Sequence, residues 1–280
     1  MDILTFSTLI FSGSLIAGFL GALTGLGGGV VIVPLLTLGF GVDIRYAIGA
    51  SLVSVIATSS GAAAAYVKEG FSNIRLGMFL EMATTFGAFI GAGVAALIST
   101  QVIAIIFGLV LLYSAYLSFR GHEPDPYDEN DAPDFFAHSF HLDGSYPDGH
   151  AAVPYHVHHV PTGFSLMFLA GGLSGLLGIG SGAVKVLAMD QAMQVPFKVS
   201  TTTSNFMIGV TAAASAGVYL SRGYIDPGLA MPVMLGVVVG ALLGSKVLTN
   251  SKPKLLRVLF AGIILILGIE MIYNGMTGRI

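Results

Sequence analysis

The chain has 280 residues, of which 54% are hydrophobic and 10% are charged, and its formal net charge is −3. A soluble domain carries roughly 25% charged residues, so this composition indicates an integral membrane protein. The chain contains no cysteine, which excludes disulfide bonds, thiolate metal sites and any mechanism that passes sulfur through a persulfide.

Apolar segments that are long enough, or nearly so, to span a bilayer occur in both halves, since a spanning helix needs about 20 apolar residues. They are Ile3–Leu23, Tyr46–Val67, Leu76–Ile98 and Val102–Phe119 in the first half, and Val199–Leu220, Gly228–Val247 and Val258–Tyr273 in the second. Three further segments are shorter, namely Val30–Phe40, Phe164–Leu177 and Ala183–Met193. Short apolar segments indicate broken or re-entrant helices.

The two halves repeat each other at an offset of 153 residues without a gap. The first copy opens with IAGFLGALTGLGGGVVIV from Ile16, and the second opens with LAGGLSGLLGIGSGAVKV from Leu169. Paired hydrophobic segments broken by glycine indicate the substrate site of a secondary transporter. We therefore predict an all-α polytopic membrane protein with two inverted repeats, residues 1–120 and 162–280. Each repeat would be a glycine-broken short helix pair followed by three spanning helices.

Residues 121–161 form a His/Asp-rich segment between the repeats. This segment holds all seven histidines, eight of the fifteen acidic residues and no Lys or Arg. Its composition predicts a mostly irregular loop that builds no packed core. His156, His158 and His159 are candidate metal ligands because their imidazoles are close in sequence, although His-rich loops often hold no fixed site.

The basic residues predict an orientation in the membrane. If each half crosses an odd number of times, seven of the ten flanking Lys and Arg residues lie on one side, whereas parallel halves would divide them five and five. The positive-inside rule favours the inverted arrangement. It places the N-terminus outside and residues 121–161 in the cytoplasm.

The two glycine breaks are candidate anion-binding sites. Their residues are Gly25, Gly27, Gly28 and Gly29 in the first half, and Gly178, Gly180, Ser181 and Gly182 in the second. Each break precedes a short helix, whose first N–H groups are unpaired, and glycine lets the backbone approach a ligand closely. Close helix packing through small residues is the competing interpretation, but the repetition at both hinges favours binding.

Hydroxyl side chains near the start of one helix in each half are candidates for completing an oxyanion site. They are Ser51 in the first half, and Thr202, Thr203 and Ser204 with the amide of Asn205 in the second. Ser and Thr also bond back to carbonyl groups of their own helix. The match of Ser51 with Ser204 at the repeat offset favours the binding role.

Lys185 lies three residues after Gly182 inside a short apolar segment. Ionisable groups at membrane depth are rare and usually functional, so we predict that Lys185 is a counter-charge for an anion. An ion pair with another helix is the alternative. Glu81 and Glu270 also lie in apolar segments. A proton relay is one role for either, but because each is near a helix end we expect both to reach the membrane interface.

Four segments resemble motifs of the sulfite exporter TauE/SafE family. They are GGLSGLLGIGSG at 171–182, GFLGALTGLGGG at 18–29 followed by Pro34, AIGASL at 47–52 and STTTSNF at 200–206. The resemblance covers nearly all of the chain except the His-rich segment. It implies a membrane carrier of small sulfur oxyanions or organosulfur anions, such as sulfite. The chain departs from the family pattern at Ala50, Ser181, Lys185 and Leu187.

These features predict a secondary transporter of sulfite or an organosulfonate in a bacterial plasma (inner) membrane, working by alternating access at a midplane site. We expect no cofactor and no nucleic-acid partner, and a coupling proton or ion. A divalent-metal transporter and a membrane-embedded enzyme are alternatives, but both need metal ligands or a nucleophile–base pair at membrane depth. The apolar segments contain no His and no Cys. An anion channel is a further alternative, because the same site could conduct.

Overall fold

A computed structural model of the chain describes residues 3–24, 28–68, 72–120, 134–148, 151–248 and 253–280, which are mostly helical. The first half contains α1 (Ile3–Thr24), α2 (Gly29–Pro34) with a π-helical turn (Leu35–Gly39), α3 (Ile44–Lys68), α4 (Ile74–Ala95) and α5 (Thr100–Arg120). A central segment contains α6 (Phe135–Ser139), β1 (Gly144–Asp148) and β2 (Ala151–Tyr155). The second half contains α7 (Val160–Leu177), α8 (Gly182–Leu187) with a π-helical turn (Ala188–Ala192), α9 (Phe197–Ser221), α10 (Pro227–Leu248) and α11 (Pro253–Thr277).

Several of these helices are compatible with a membrane protein. Among the described residues, the helical stretches Ile74–Ala95, Val160–Leu177 and Pro227–Gly244 are each long and apolar enough to cross a membrane. The expectation that the segment opening the second half is too short is wrong, because α7 begins at Val160 rather than at Phe164. Pro161 in the first turn explains the earlier start, since proline lacks an N–H group that this turn would leave unpaired.

Each broken helix pair is a hairpin whose two ends meet. In the first half the rings of Phe6 and Phe40 lie 6.0 Å apart between their centroids, edge to face. In the second half the His158 N–H group donates to the Met193 carbonyl group at 3.1 Å. Phe40 and Met193 are equivalent positions of the repeat. The chain therefore returns to its starting side at each break, and three long helices follow.

The two halves pack against each other through helices of opposite halves. The first helix of each half packs on the penultimate helix of the other half, so that α1 contacts α10 and α7 contacts α4. Glycine makes this close approach possible: a methyl group at Gly18 would overlap the Val237 carbonyl group, and one at Gly171 would overlap that of Thr84. These two contacts are equivalent under the repeat offset. Small residues are the usual means of close helix packing in membranes.

Equivalent helices of the two halves lie side by side in opposite directions. The start of α3 contacts the chain just after α9, where the Tyr46 and Tyr224 rings are 5.6 Å apart, and Ser59 farther along α3 contacts Gly209 of α9. In the same way, α5 packs on α11.

The central segment is not an irregular loop in the part that the structure describes, which corrects the expectation from composition. Strands β1 and β2 pair antiparallel, and Leu142 and Tyr155 are buried against α4 and α7 in a shared apolar cluster. Asn73, which precedes α4, donates from Nδ2 to the Leu142 carbonyl group at 2.8 Å and to the Tyr155 hydroxyl group at 2.7 Å. A few apolar residues among many polar ones suffice because the membrane helices supply the rest of the cluster.

Candidate functional site

The two glycine breaks meet at Ser51. The Ser51 hydroxyl group, on α3 of the first half, donates to the Gly178 carbonyl group of the second break at 2.8 Å, and Ser51 is fully buried. A methyl group at Gly29 would lie 2.8 Å from Ser51 Oγ and 3.1 Å from the Gly178 oxygen. One hydroxyl group of the first half therefore bonds to the second break and lies close to Gly29 of the first break.

The backbone of the second break requires glycine at two positions. Gly178 and Gly180 have φ angles of +68° and +71°, which side chains with a Cβ adopt only with strain. A methyl group at Gly180 would also lie 2.8 Å from the Ile208 side chain. Ser181 follows with a φ of +46°, and its buried hydroxyl group has no hydrogen-bond partner within the described part of the chain. An unsatisfied buried hydroxyl group costs about 1–3 kcal/mol, so this atom suits a polar ligand.

One member of the second hydroxyl cluster reaches the break. Ser204 Oγ, buried on α9, donates to the Gly182 carbonyl group at 3.2 Å. Thr202 donates to carbonyl groups of its own helix. Thr203 accepts a hydrogen bond from the Asn73 N–H group at 3.0 Å and so holds the start of α4. Asn205 is half-buried on the same helix.

A buried cation lies next to the second break. Lys185, on α8, is fully buried, and its ammonium group donates to Thr211 Oγ1 at 2.5 Å. The same ammonium group is 3.7 Å from Glu81 Oε2 on α4 of the first half. Glu81 Oε1 accepts hydrogen bonds from Thr211 at 2.7 Å and from Thr85 at 3.2 Å. A charged cluster therefore joins both halves inside the membrane helices.

Two arginines lie at one end of the helix bundle. Arg45 and Arg222 line a narrow crevice with an empty volume of about 170 Å³, together with Tyr219 and Tyr224. Arg45 donates to the Ile98 carbonyl group at 2.8 Å, and Arg222 donates to carbonyl groups at the end of α4. Cations at the C-terminal end of a helix satisfy its free carbonyl groups, and this contact stabilises the end of α4.

The comparisons with known proteins agree with this architecture. The profile of the family described as "Sulfite exporter TauE/SafE" matches residues 10–271. The chain belongs to the sulfite exporter TauE/SafE family. Because the match runs from α1 into α11, it includes both glycine breaks and the ion pair.

Three relatives of this TauE/SafE family member are named as probable membrane transporters. The "Probable membrane transporter protein YunE" of Bacillus subtilis is 28% identical over 279 residues, which cover 97% of this chain and 99% of that protein. A "Probable membrane transporter protein" of Xylella fastidiosa is 27% identical, with 98% and 97% covered. The "Probable membrane transporter protein MJ0441" of Methanocaldococcus jannaschii is 27% identical, with 92% of each chain covered. No solved structure matches the chain.

The family match and the names of these relatives indicate a membrane transporter. The membrane-embedded character itself agrees with the apolar helices.

The predicted site residues do not all lie together in this structure. Ser51, Gly29, Gly178, Ser204 and Gly182 are brought together, and Lys185 lies one turn along the same short helix. A methyl group at Gly28 would overlap the Val237 side chain, and Gly25 and Gly27 lie outside the described residues. The assignment of all these residues to substrate binding stays a prediction.

Sequence reasoning singled out Glu81 but placed its side chain wrongly. We expected its side chain to reach the interface, but Glu81 is 7% exposed and paired with Lys185, so that expectation is wrong. Glu270, in contrast, is exposed on α11. The sequence did offer a signal for this pairing, because it places one acid and one base in apolar segments of different halves. Unpaired charges at membrane depth are costly, so the two could have been expected to pair.

The three candidate metal ligands do not converge in the described part of the chain, where no group of three or more His, Asp or Glu side chains is close enough to hold a metal ion. His156 Nδ1 lies 3.5 Å from Asp143 Oδ2. The backbone of His158 bonds to Met193, and His159 is the residue before α7. Metal binding here stays a prediction.

Proposed function

We propose that the chain is a secondary transporter of a small sulfur-containing anion, sulfite or an organosulfonate. The transporter would work by alternating access to a binding site between the two repeats. The observation that carries the proposal is the meeting of both glycine breaks beside buried hydroxyl groups and one buried ammonium group. Backbone N–H, hydroxyl and ammonium groups all donate hydrogen bonds. They match a ligand that has several acceptor oxygens.

The substrate would contact Ser51, Ser181 and Ser204, with Lys185 offsetting its charge. The two serines that bond to the breaks, Ser51 and Ser204, are within 3.2 Å of backbone carbonyl oxygens, and each can turn its hydroxyl proton to an anion. Ser181 already lacks a partner within the described residues. A divalent metal ion fits this site poorly, because an ammonium group repels cations and the site offers few oxygen ligands without protons.

The helix packing supports an inverted relation between the repeats. Each glycine-broken hairpin returns to its starting side and is followed by three long helices, so a half that begins on one side ends on the other. Equivalent helices pack antiparallel, and the packing pairs exchange under the repeat offset. Such a transporter alternates by moving one repeat against the other around a fixed site.

The orientation follows from the basic residues. With the N-terminus outside, the positive-inside rule places the central segment in the cytoplasm. We place the protein in a bacterial plasma (inner) membrane as a multi-pass protein. The central segment would then cover the cytoplasmic ends of α4 and α7, against which it packs.

Ligand-induced thermal stabilisation tests the substrate class. The purified protein is heated with sulfite, sulfate, thiosulfate, isethionate or a divalent metal ion, each in turn. A ligand at 100 times its Kd stabilises the folded state by about 2.7 kcal/mol. We expect stabilisation by at least one sulfur-containing anion. Stabilisation by the metal ions alone would overturn the proposal in favour of metal transport.

A matched pair of glycine variants tests the site. Gly180→Leu places a side chain against Ile208 at the break, whereas Gly262→Leu lies on α11 where a Cβ has no neighbour within 4 Å. In liposomes, the control should retain anion counterflow and the break variant should lose it while remaining folded. Counterflow also separates a carrier from a channel, because a channel does not accumulate labelled anion against unlabelled anion.

A further inference from the structure

The ion pair beside the second break has an incompletely satisfied carboxylate. The Lys185 and Glu81 side chains are 0% and 9% exposed. Two threonines donate to Glu81 Oε1, whereas Oε2 has no hydrogen-bond partner in the described part of the chain. The Lys185 ammonium group, 3.7 Å away, is therefore the counter-charge of this oxygen within the described residues.

Apolar residues stand at the repeat-equivalent positions of this ion pair. The repeat equivalents of Lys185 and Glu81 are Ile32 and Met234, so the first broken hairpin forms with an apolar pair at the same places. Ile32 is fully buried. Well-packed apolar residues often replace a buried ion pair without loss of stability, because the pair carries a desolvation cost. A charge pair at only one of two equivalent places therefore points to a role other than packing.

Lys185 connects the carboxylate to the proposed anion site. Its backbone N–H group donates to the Ser181 carbonyl group at 3.0 Å, and Ser181 carries the unpartnered hydroxyl group of the break. Thr211, which bonds both members of the pair, lies two helical turns after Ser204 on α9, on the same face. A ligand at the break, where Ser204 bonds to Gly182, would therefore lie along the same face of α9 as the ion pair.

We propose that Glu81 is the proton-coupling residue of the transporter, and this inference rests on the proposed anion transport. A proton binds to Glu81 Oε2, the ion pair breaks, and the substrate anion replaces the carboxylate as the counter-ion of Lys185. On release of the anion, Glu81 loses its proton and pairs with Lys185 again. No covalent bond other than the O–H bond forms or breaks.

Charge balance sets the coupling ratio. The empty site holds one ammonium and one carboxylate group, and the loaded site holds one ammonium group, one monovalent anion and one neutral carboxyl group, so both are neutral. An anion bound without the proton would leave a net negative charge in a buried site, which is costly. One proton therefore accompanies each monovalent anion in the same direction.

The surrounding helices offer few other groups that could take this proton. Helix α7, which packs on α4, contains no ionisable side chain. Helix α9 carries Lys198 in its first turn and Tyr219 near its end, and Asp190 follows Lys185 on the π-helical turn. The Glu81 carboxylate group accepts hydrogen bonds from Thr85 and Thr211 and pairs with Lys185.

Proteoliposomes with an imposed pH difference test the inference. The probe anion is isethionate, a sulfonate that stays ionised, because sulfite itself takes up a proton near neutral pH. With the lumen one pH unit more alkaline than the outside, a carrier that moves one proton with each anion accumulates isethionate up to about tenfold. A fluorescent pH dye in the lumen reports the accompanying protons.

Glu81→Gln should abolish the accumulation driven by the pH difference and keep isethionate counterflow. Glu270→Gln is the matched control, since Glu270 is an exposed acid on a membrane helix, and it should behave as the wild type. Glu81→Asp should restore part of the coupling. The double variant Lys185→Ile/Glu81→Met, which copies the apolar pair of the first half, guards against a misfolded single variant and should show no accumulation.

The outcomes separate the inference from the function on which it rests. If the wild-type protein shows no counterflow with any sulfur-containing anion, the proposed function fails. If the wild type shows counterflow but no response to the pH difference, or if folded Glu81→Gln still accumulates isethionate, the coupling role is wrong. Loss of counterflow as well as accumulation in folded Glu81→Gln would also refute it and make the ion pair a structural lock. Accumulation by the double variant would be equally decisive against it.

Discussion

The buried ion pair between the halves makes a quantitative prediction about stability. We consider Lys185→Ile, Glu81→Met and the double variant, which together form a double-mutant cycle. Each single substitution leaves the other charge buried and uncompensated, which costs about 3–5 kcal/mol. The double variant replaces the pair by the residues found at Ile32 and Met234, so it should lie within about 1 kcal/mol of the wild type or be more stable.

The two single variants should differ in stability, because the charge that remains in each has a different number of hydrogen-bond partners. Without Lys185, the carboxyl group keeps two hydroxyl donors, Thr85 and Thr211, and can take up a proton. Without Glu81, the ammonium group keeps one hydroxyl acceptor, Thr211. We therefore expect Glu81→Met to be the more destabilising single change.

Thermal unfolding in detergent at neutral pH measures this cycle. A single-variant loss of about 3–5 kcal/mol should lower Tm by about 10 °C in a chain of this size. The coupling energy from the four proteins should be several kcal/mol, since two residues in one buried pair are not additive. Additive losses, with the double variant less stable than either single variant, would refute the reasoning.

Three further changes have expected results. Gly171→Ala should disrupt the packing of α7 on α4, because its methyl group would overlap a backbone carbonyl group, while Gly262→Ala, with no neighbour within 4 Å, should be neutral or stabilising; Tm comparison of the two checks this. Ser51→Ala should cost about 1–3 kcal/mol by removing its buried hydrogen bond to the second break, and unchanged denaturant stability would contradict it. Burial raises the pKa of Tyr155 to about 12, whereas tyrosine in the unfolded state ionises at about pH 10. The folded state therefore keeps this proton to a higher pH than the unfolded state does. The free energy of unfolding should fall as the pH rises from about 10 to 12, and the fall should be smaller in Tyr155→Phe.

Several features follow from the sequence because they depend on local composition. Long apolar segments predict membrane helices, and the order of elements in each half agrees with the structure. The glycine runs at 25–29 and 178–182 predict where the helices break, since glycine is needed where φ is positive, as at Gly178 and Gly180. The motif matches predicted the family, and the family profile confirms it.

The helix exchange between halves depends on distant contacts. The repeat indicates that two units are related, but not that α1 packs on α10 rather than within its own half. The same limit applies to the central segment, whose composition predicts no core. Its buried residues, such as Leu142 and Tyr155, pack on helices that are far away in the sequence.

The sequence by itself determined the membrane location, the repeat, the glycine breaks and the family, because each depends on residues that are close in the chain or related by one fixed offset. Only the tertiary structure decided which polar groups share a site. Ser51 and Gly178 are 127 positions apart, and Lys185 and Glu81 belong to different halves. Their pairing depends on how the two halves pack against each other. The hydrophobic pattern of the sequence shows that a side chain is buried, but not which distant residue it contacts.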